Sequence, residues 1–255
     1  MTTYIDTFDQ RGRSYNNAMA EFPNARNQEL AELLKRLSPL PGETIVDAPA
    51  GGGYVADRLK TQGAEVVCVE PSSEFASPLE ENHTTIISPI WDIPLPDQSV
   101  DKVASLAGLH HLSSSERRGF FNEAWRVLRP GGQIVVADVR TGSAAAAFLN
   151  GPVDRWTETG HRGVFFALGE LRNHLVQAKF LNTFETEERI TWQCPDLPSL
   201  ARFVHQLFGM VRLPPSDVMG LIVDHLEAYE SPGGAYMPWS LAYASGTKPL
   251  DPSSA

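Results

Sequence analysis

The chain has 255 residues, 42% hydrophobic and 20% charged, the proportions of a soluble globular protein and not of a disordered or membrane-embedded one. Its 31 acidic against 21 basic side chains leave a net charge of −10, which argues against a partner that tracks nucleic-acid phosphates and favours small or cationic ligands. Cys68 and Cys194 are too few for a disulfide framework, no run of about 18 apolar residues offers a membrane span, and the polar start has no secretory pattern. A single cytoplasmic domain is expected.

In chain order, residues 1–40 read as a helical segment. Phe8, Arg11, Arg13, Tyr15 and Arg26 fall in a helix-loop stretch, and Leu30, Leu33, Leu34 and Leu37 follow helical spacing until Ser38-Pro39-Leu40-Pro41-Gly42 ends the helix. Ile45 to Ala48 form a first strand, followed by the glycine-dense turn Pro49-Ala50-Gly51-Gly52-Gly53 and a helix to about Gln62. Glycines there let a backbone approach a ligand, and the helix that follows opens with free N–H groups. Gly51, Gly53 and Ala56 also fit the G-x-G-x-x-G/A dinucleotide spacing, which taken alone is a weak signal. Gly63 is a left-handed cap, and Glu65 to Val69 form a second strand ending at Glu70.

Thr85 to Ser88 and Asp101 to Leu106 are a third and a fourth strand. Ser113-Ser114-Ser115-Glu116 opens a helix with a capping box, and Pro130-Gly131-Gly132 turn the chain into a fifth strand, Gln133 to Ala137. Strands alternating with helices imply a parallel sheet. Residues 140–167 hold an alanine run and then Trp156, His161, Phe165 and Phe166, the makings of a lid with mobile backbone and aromatic faces. A helix over Leu168 to Phe180, a sixth strand over Asn182 to Trp192, helices over Pro198 to Met210 and Pro215 to Tyr229, and a last strand over Ala235 to Ser245 complete the reading. Phe203, Phe208, Met210, Met219, Trp239 and Tyr243 supply core and an apolar pocket.

In an open parallel sheet, ligands bind beyond the carboxyl ends of the strands. Asp47, Glu70 and Asp138 close strands one, two and five, and His110 and His111 lie just past strand four. Glu70, 19 residues beyond Gly51, is placed to accept both hydroxyls of a ribose.

Five segments in order, Asp47 to Gly53, Glu70-Pro71-Ser72, Leu95 to Asp101, Leu109-His110-His111-Leu112 and Arg126 to Gly132, resemble the class I S-adenosylmethionine-dependent methyltransferases, in particular the methyltransferase type 11-like, small-molecule subgroup. The resemblance implies an α/β, Rossmann-like sheet of seven mostly parallel strands with helices on both faces and an antiparallel last strand. A helical cap at about 197–231 would be inserted between strands six and seven. Residues 1–40 become a lid, 44–140 the cofactor-binding half, and 141–255 the substrate side. The implied cofactor is S-adenosylmethionine. Asp47 sits near its methionine end, Ala48, Ala50, Gly51 and Gly53 line it by backbone, Glu70 holds the ribose with Pro71 beside it, and Leu106, Ala107 and Tyr15 complete the wall. Pro49 stands where the family usually has glycine, so this turn lacks an N–H donor. Adenine is held either through Asp92 or through backbone groups of Ile90 and Trp91.

The resemblance further implies in-line transfer of a methyl group to O, N or C of a small organic molecule, secondary metabolites among them. Positioning alone contributes about 7 to 11 kcal/mol to such a step, and a histidine suits any proton removal. His110 and His111 are the catalytic candidates. Asp138, Trp156, His161, Phe165 and Trp239 are the candidates for substrate contact. No metal is expected, because no His/Cys/Asp cluster shows metal-ligand spacing. A homodimer is compatible with the reading, and neither nucleic acid nor membrane is. Two alternatives stand beside methyl transfer: a non-methylating enzyme that uses the same cofactor, and a cofactor-binding pseudoenzyme that serves as a partner subunit.

Overall fold

The computed structural model describes residues 4–79, 82–161 and 163–250. Its elements run α1 (Tyr4–Glu21), α2 (Asn27–Leu37), β1 (Thr44–Asp47), α3 (Tyr54–Thr61), β2 (Glu65–Glu70), α4 (Ser73–Ala76), β3 (Thr84–Ile87), β4 (Val100–Leu106), α5 (Ser114–Val127) and β5 (Leu128–Asp138). The second half has α6 (Ala144–Phe148), α7 (Asp154–Trp156), α8 (Glu170–Gln177), β6 (Leu181–Cys194), α9 (Leu197–Phe208), α10 (Pro215–Leu226), β7 (Tyr229–Ser231) and β8 (Gly234–Thr247). No helix among the described residues is long and apolar enough to cross a membrane.

The strands lie in the order β3-β2-β1-β4-β5-β8-β6. The first five are parallel, and β8 runs antiparallel between β5 and β6. The sheet is an α/β sheet of the expected kind with one correction: β7 pairs with β8 as an eighth, short strand. The helix expected to reach Tyr229 stops at Leu226, because Glu227 adopts a left-handed conformation and turns the chain into that hairpin.

Period-two alternation builds the two layers. Ile45, Val135, Ala137, Leu241 and Tyr243 face one core with α2, α9 and α10, while Val46, Ile134, Val136, Ala242 and Ala244 face a second core with α5 and α8. Caps set the helix ends: Ser113 and Glu116 form the expected capping box of α5, and Asp196 accepts the Ser199 N–H at the start of α9.

Two local expectations change. Pro130-Gly131-Gly132 lie inside β5, which begins at Leu128. The pairing shifts between Val100 and Lys102, and Gly131 takes φ +81°, so the extra residues are absorbed in a bulge. The described residues between 140 and 167 also carry regular structure and core contacts: α6 is capped by Ser143, and Phe166 is fully buried with the Arg117 guanidinium 4.2 Å above its ring.

α1 is what closes the carboxyl end of the sheet. Its stripe of Tyr4, Phe8, Arg11 and Gly12 is buried, and the helix packs between α9 and α4. Gly12 permits the contact with α4, since a Cβ there would stand 2.8 Å from the Phe75 Cα.

Candidate active site

The turn after β1 is built around one carboxylate. Gly51, at φ +55°, donates its N–H to Glu70 Oε2 at 2.8 Å, and a side chain at Gly51 would run into the Phe75 ring at 2.8 Å. Glu70, fully buried at the end of β2, also accepts the Ser72 N–H at 2.9 Å and the Tyr4 hydroxyl at 3.0 Å. Burial pushes its carboxyl pKa up to about 7, against the pull of those three donors. The Ala48–Pro49 peptide is cis, which the sequence does not reveal. Asp47 is fully buried, and neither of its oxygens completes a hydrogen bond. Burial raises its pKa well above the usual carboxylate range, although the Ala56 N–H of α3 pulls the other way. An orphaned acid at this depth calls for a cationic or hydrogen-bonding partner.

These groups surround a cavity whose wall includes Tyr15, Pro49, Ala50, Gly51, Leu106 and Ala107, all expected from sequence, together with Phe8, Tyr54 and Phe75. Phe8 and Phe75 stack at 4.7 Å between ring centroids. Glu70 and Asp47 stand behind that wall. Ala48 and Ile90 are core residues, Pro71 is buried, and Gly53 caps α3. The expected adenine residues are not on the wall: Ile90 is used in packing, Trp91 packs against Gly119 of α5, and Asp92 is exposed. Aromatic surface at this cavity comes instead from Phe8 and Phe75.

A second cavity shares Phe8, Tyr15, Arg26 and Ala107 with the first and continues between Arg11, His110, His111, His161, Trp192, Phe208 and Trp239. His110 Nδ1 donates to Asp138 Oδ1 at 2.6 Å, and the His110 backbone N–H donates to Asp138 Oδ2 at 3.1 Å. This fixes the ring and leaves Nε2 for other partners. His161 Nδ1 lies 3.2 Å from Asn150 Oδ1. Ring centroids are 4.2 Å apart for His110 and His111, and 5.0 Å apart for His111 and His161. Burial first, and then the neighbouring His110 and Arg11, lower the pKa of both His111 and His161 well below that of a free imidazole. Both are therefore neutral proton acceptors.

The ligating atoms of the three histidines lie within 4.8 Å of one another, which corrects the expectation that this chain has no metal-capable cluster. Sequence spacing could not show it, because His161 comes from a different loop. The guanidinium of Arg11 acts on both His111 and His161 and disfavours a second cation among them.

Of the other substrate candidates, Trp239 is on the wall and Asp138 is behind His110. Phe165 packs behind the histidines, 5.4 Å from His110, and Trp156 lies under Arg155, off the wall. Sequence reasoning missed Tyr4, Phe75 and Trp192. The signal for Tyr4 was available, since Tyr4, Phe8, Arg11 and Tyr15 share one helical face.

Arg26 separates the two cavities. It pairs with Glu29, hydrogen-bonds the Tyr15 hydroxyl and lies 5.2 Å from the Trp192 ring. Burial works against its charge, but Glu29 more than restores it and Arg26 stays protonated.

Residues 46–136 match the family described as Methyltransferase domain. An uncharacterized methyltransferase of Geobacillus kaustophilus is 25% identical over 142 residues, 53% of this chain; the chain spans 66% of that relative's length. Malonyl-[acyl-carrier protein] O-methyltransferase of Serratia marcescens is 28% identical over 79% of this chain and 80% of its own. In fold, the chain is similar to phosphoethanolamine N-methyltransferase 2 of Haemonchus contortus, solved with phosphomonomethylethanolamine and S-adenosylhomocysteine. The TM-score is 0.64 at 14% identity, covering 98% of this chain and 61% of that one.

Proposed function

We propose that this chain, whose residues 46–136 match the family described as Methyltransferase domain, binds S-adenosylmethionine in the cavity at the glycine turn and methylates a small organic molecule held in the adjoining one. The observation that carries this is the shared wall: Phe8, Tyr15, Arg26 and Ala107 border both cavities, so a group at the end of the first faces the histidines of the second.

The residues present fit that cofactor. Glu70 supplies two acceptor oxygens for a ribose, orphaned Asp47 can take a cationic amine through the turn, and the missing side chain of Gly51 makes the room. The bound cofactor supplies an electrophilic methyl group. The protein's part is then to hold the acceptor in line and to remove a proton where the acceptor carries one. His110, oriented by Asp138, and the neutral His111 and His161 are the groups able to accept it.

A wall that includes Trp192, Phe208 and Trp239 suits a small, partly apolar acceptor, secondary metabolites included. The Serratia and Haemonchus proteins are named for O- and N-methylation, and both acceptor atoms stay open here. The test is transfer of labelled methyl from S-adenosylmethionine to a panel of phenols, amines and carboxylic acids. Label moving to at least one of them supports the proposal; binding of the cofactor with no transfer across the panel contradicts it.

A further inference from the structure

Arg11 is a buried cation that no acid among the described residues neutralises. It is 7% exposed, its Nε and Nη1 have no hydrogen-bond partner among the described residues, and no carboxylate of the described chain acts on it. Its companion Arg26, in the same wall, is paired with Glu29. Burying a charge without a partner is expensive, and proteins keep such groups where a ligand completes them. Arg11 lines the cavity of the histidines and not the one at the glycine turn.

We propose that Arg11 is the anchor for a carboxylate on the acceptor molecule, so that the second cavity takes a small apolar or aromatic carboxylic acid with its hydrocarbon part among Trp192, Phe208 and Trp239. A planar guanidinium matches a carboxylate in two parallel hydrogen bonds. One uncompensated cation beside the neutral imidazoles of His111 and His161 balances a monoanion. A phosphate dianion would leave charge unmatched in a wall whose other cation, Arg26, is already paired with Glu29 and whose remainder is largely aromatic and aliphatic. Burial lowers the Arg11 pKa to about 10, which still leaves the group charged at neutral pH. Calling the ligand an acceptor rests on the methyl-transfer reading; the anion site itself does not.

The test uses the full chain and its Arg11→Met and Arg11→Lys variants. Tryptophan fluorescence follows titration with matched pairs: 4-hydroxybenzoate and 4-hydroxybenzamide, 4-hydroxyphenylacetate and its amide, hexanoate and hexanamide, with inorganic phosphate alongside. The expected result is that at least one acid binds wild type about tenfold or more tighter than its amide. Arg11→Met then removes that preference, Arg11→Lys keeps part of it, and S-adenosylmethionine affinity stays within about twofold. Thermal melting without ligand separates a binding from a structural role, since Arg11→Met should melt at or above wild type once the unpaired charge is gone. The proposal is overturned if acids and amides bind alike or not at all, if phosphate binds tighter than every acid, if Arg11→Met keeps the preference, if it melts several degrees lower, or if it loses cofactor affinity. Failure of S-adenosylmethionine to bind wild type would instead strike the methyl-transfer reading and leave the anion measurement standing.

Discussion

At the scale of single residues, Glu70 sets the pH response. Its folded-state pKa of about 7 lies above the ordinary carboxylate value, and only the ionised form keeps both oxygens as acceptors for a ribose beside the donors already on them. Affinity for S-adenosylmethionine should therefore rise as pH increases through 7 and level off above it. Between pH 6 and pH 8 the expected gain is about tenfold by linkage. A flat calorimetric profile across that range would show that Glu70 does not hold the ligand as a carboxylate. Asp138 has a different task, fixing the orientation and tautomer of His110 from behind. If His110 works through that orientation, Asp138→Asn should lower the methyl-transfer rate about a hundredfold while leaving cofactor affinity unchanged. Single-turnover measurements with a responsive acceptor check this, and an unchanged rate assigns the proton to another group or to none.

At the scale of elements, α1 is the cover of the site. Tyr4 hydrogen-bonds Glu70 at 3.0 Å, where ribose hydroxyls would compete for the same oxygen. Removing that competitor with Tyr4→Phe should tighten S-adenosylmethionine binding by about two- to tenfold, the net worth of one ordinary hydrogen bond. Weaker binding would mean that the phenol stays and helps hold the ligand. The seat of α1 on α4 depends on Gly12. Gly12→Val places carbon within 2.8 Å of Phe75 backbone and should cost about 1–3 kcal/mol of stability by overpacking, readable as a lower denaturation midpoint. This helix was only half legible. Its aromatic and basic residues share a face in the sequence, but nothing in that pattern says that a tyrosine will cap the ribose acid, because the contact joins residues 66 apart through tertiary packing. The eighth strand was missed for a similar reason: Glu227 turns left-handed without a glycine to announce it.

At the scale of the whole molecule, the parallel half was read well because its signals are local: apolar runs for β1, β2 and β4, a capping box for α5, and an acid at the ends of β1, β2 and β5. The second cavity was read poorly because it draws a few residues each from distant elements: α1, the loop after β4, the segment before α8, β6, α9 and β8. The His110, His111 and His161 cluster and the unpaired Arg11 exist only once those elements meet. A ligand that bridges lid and sheet should stabilise the fold as a unit. At about 100 times its dissociation constant the gain is about 2.7 kcal/mol, or roughly 5–10 °C in melting temperature for a chain of this length. The most direct test of the account is calorimetric titration of S-adenosylmethionine into wild type and Glu70→Ala at pH 8. The account predicts one site in wild type and at least about tenfold weaker binding in the variant. No binding to wild type, or equal binding to both, would contradict it.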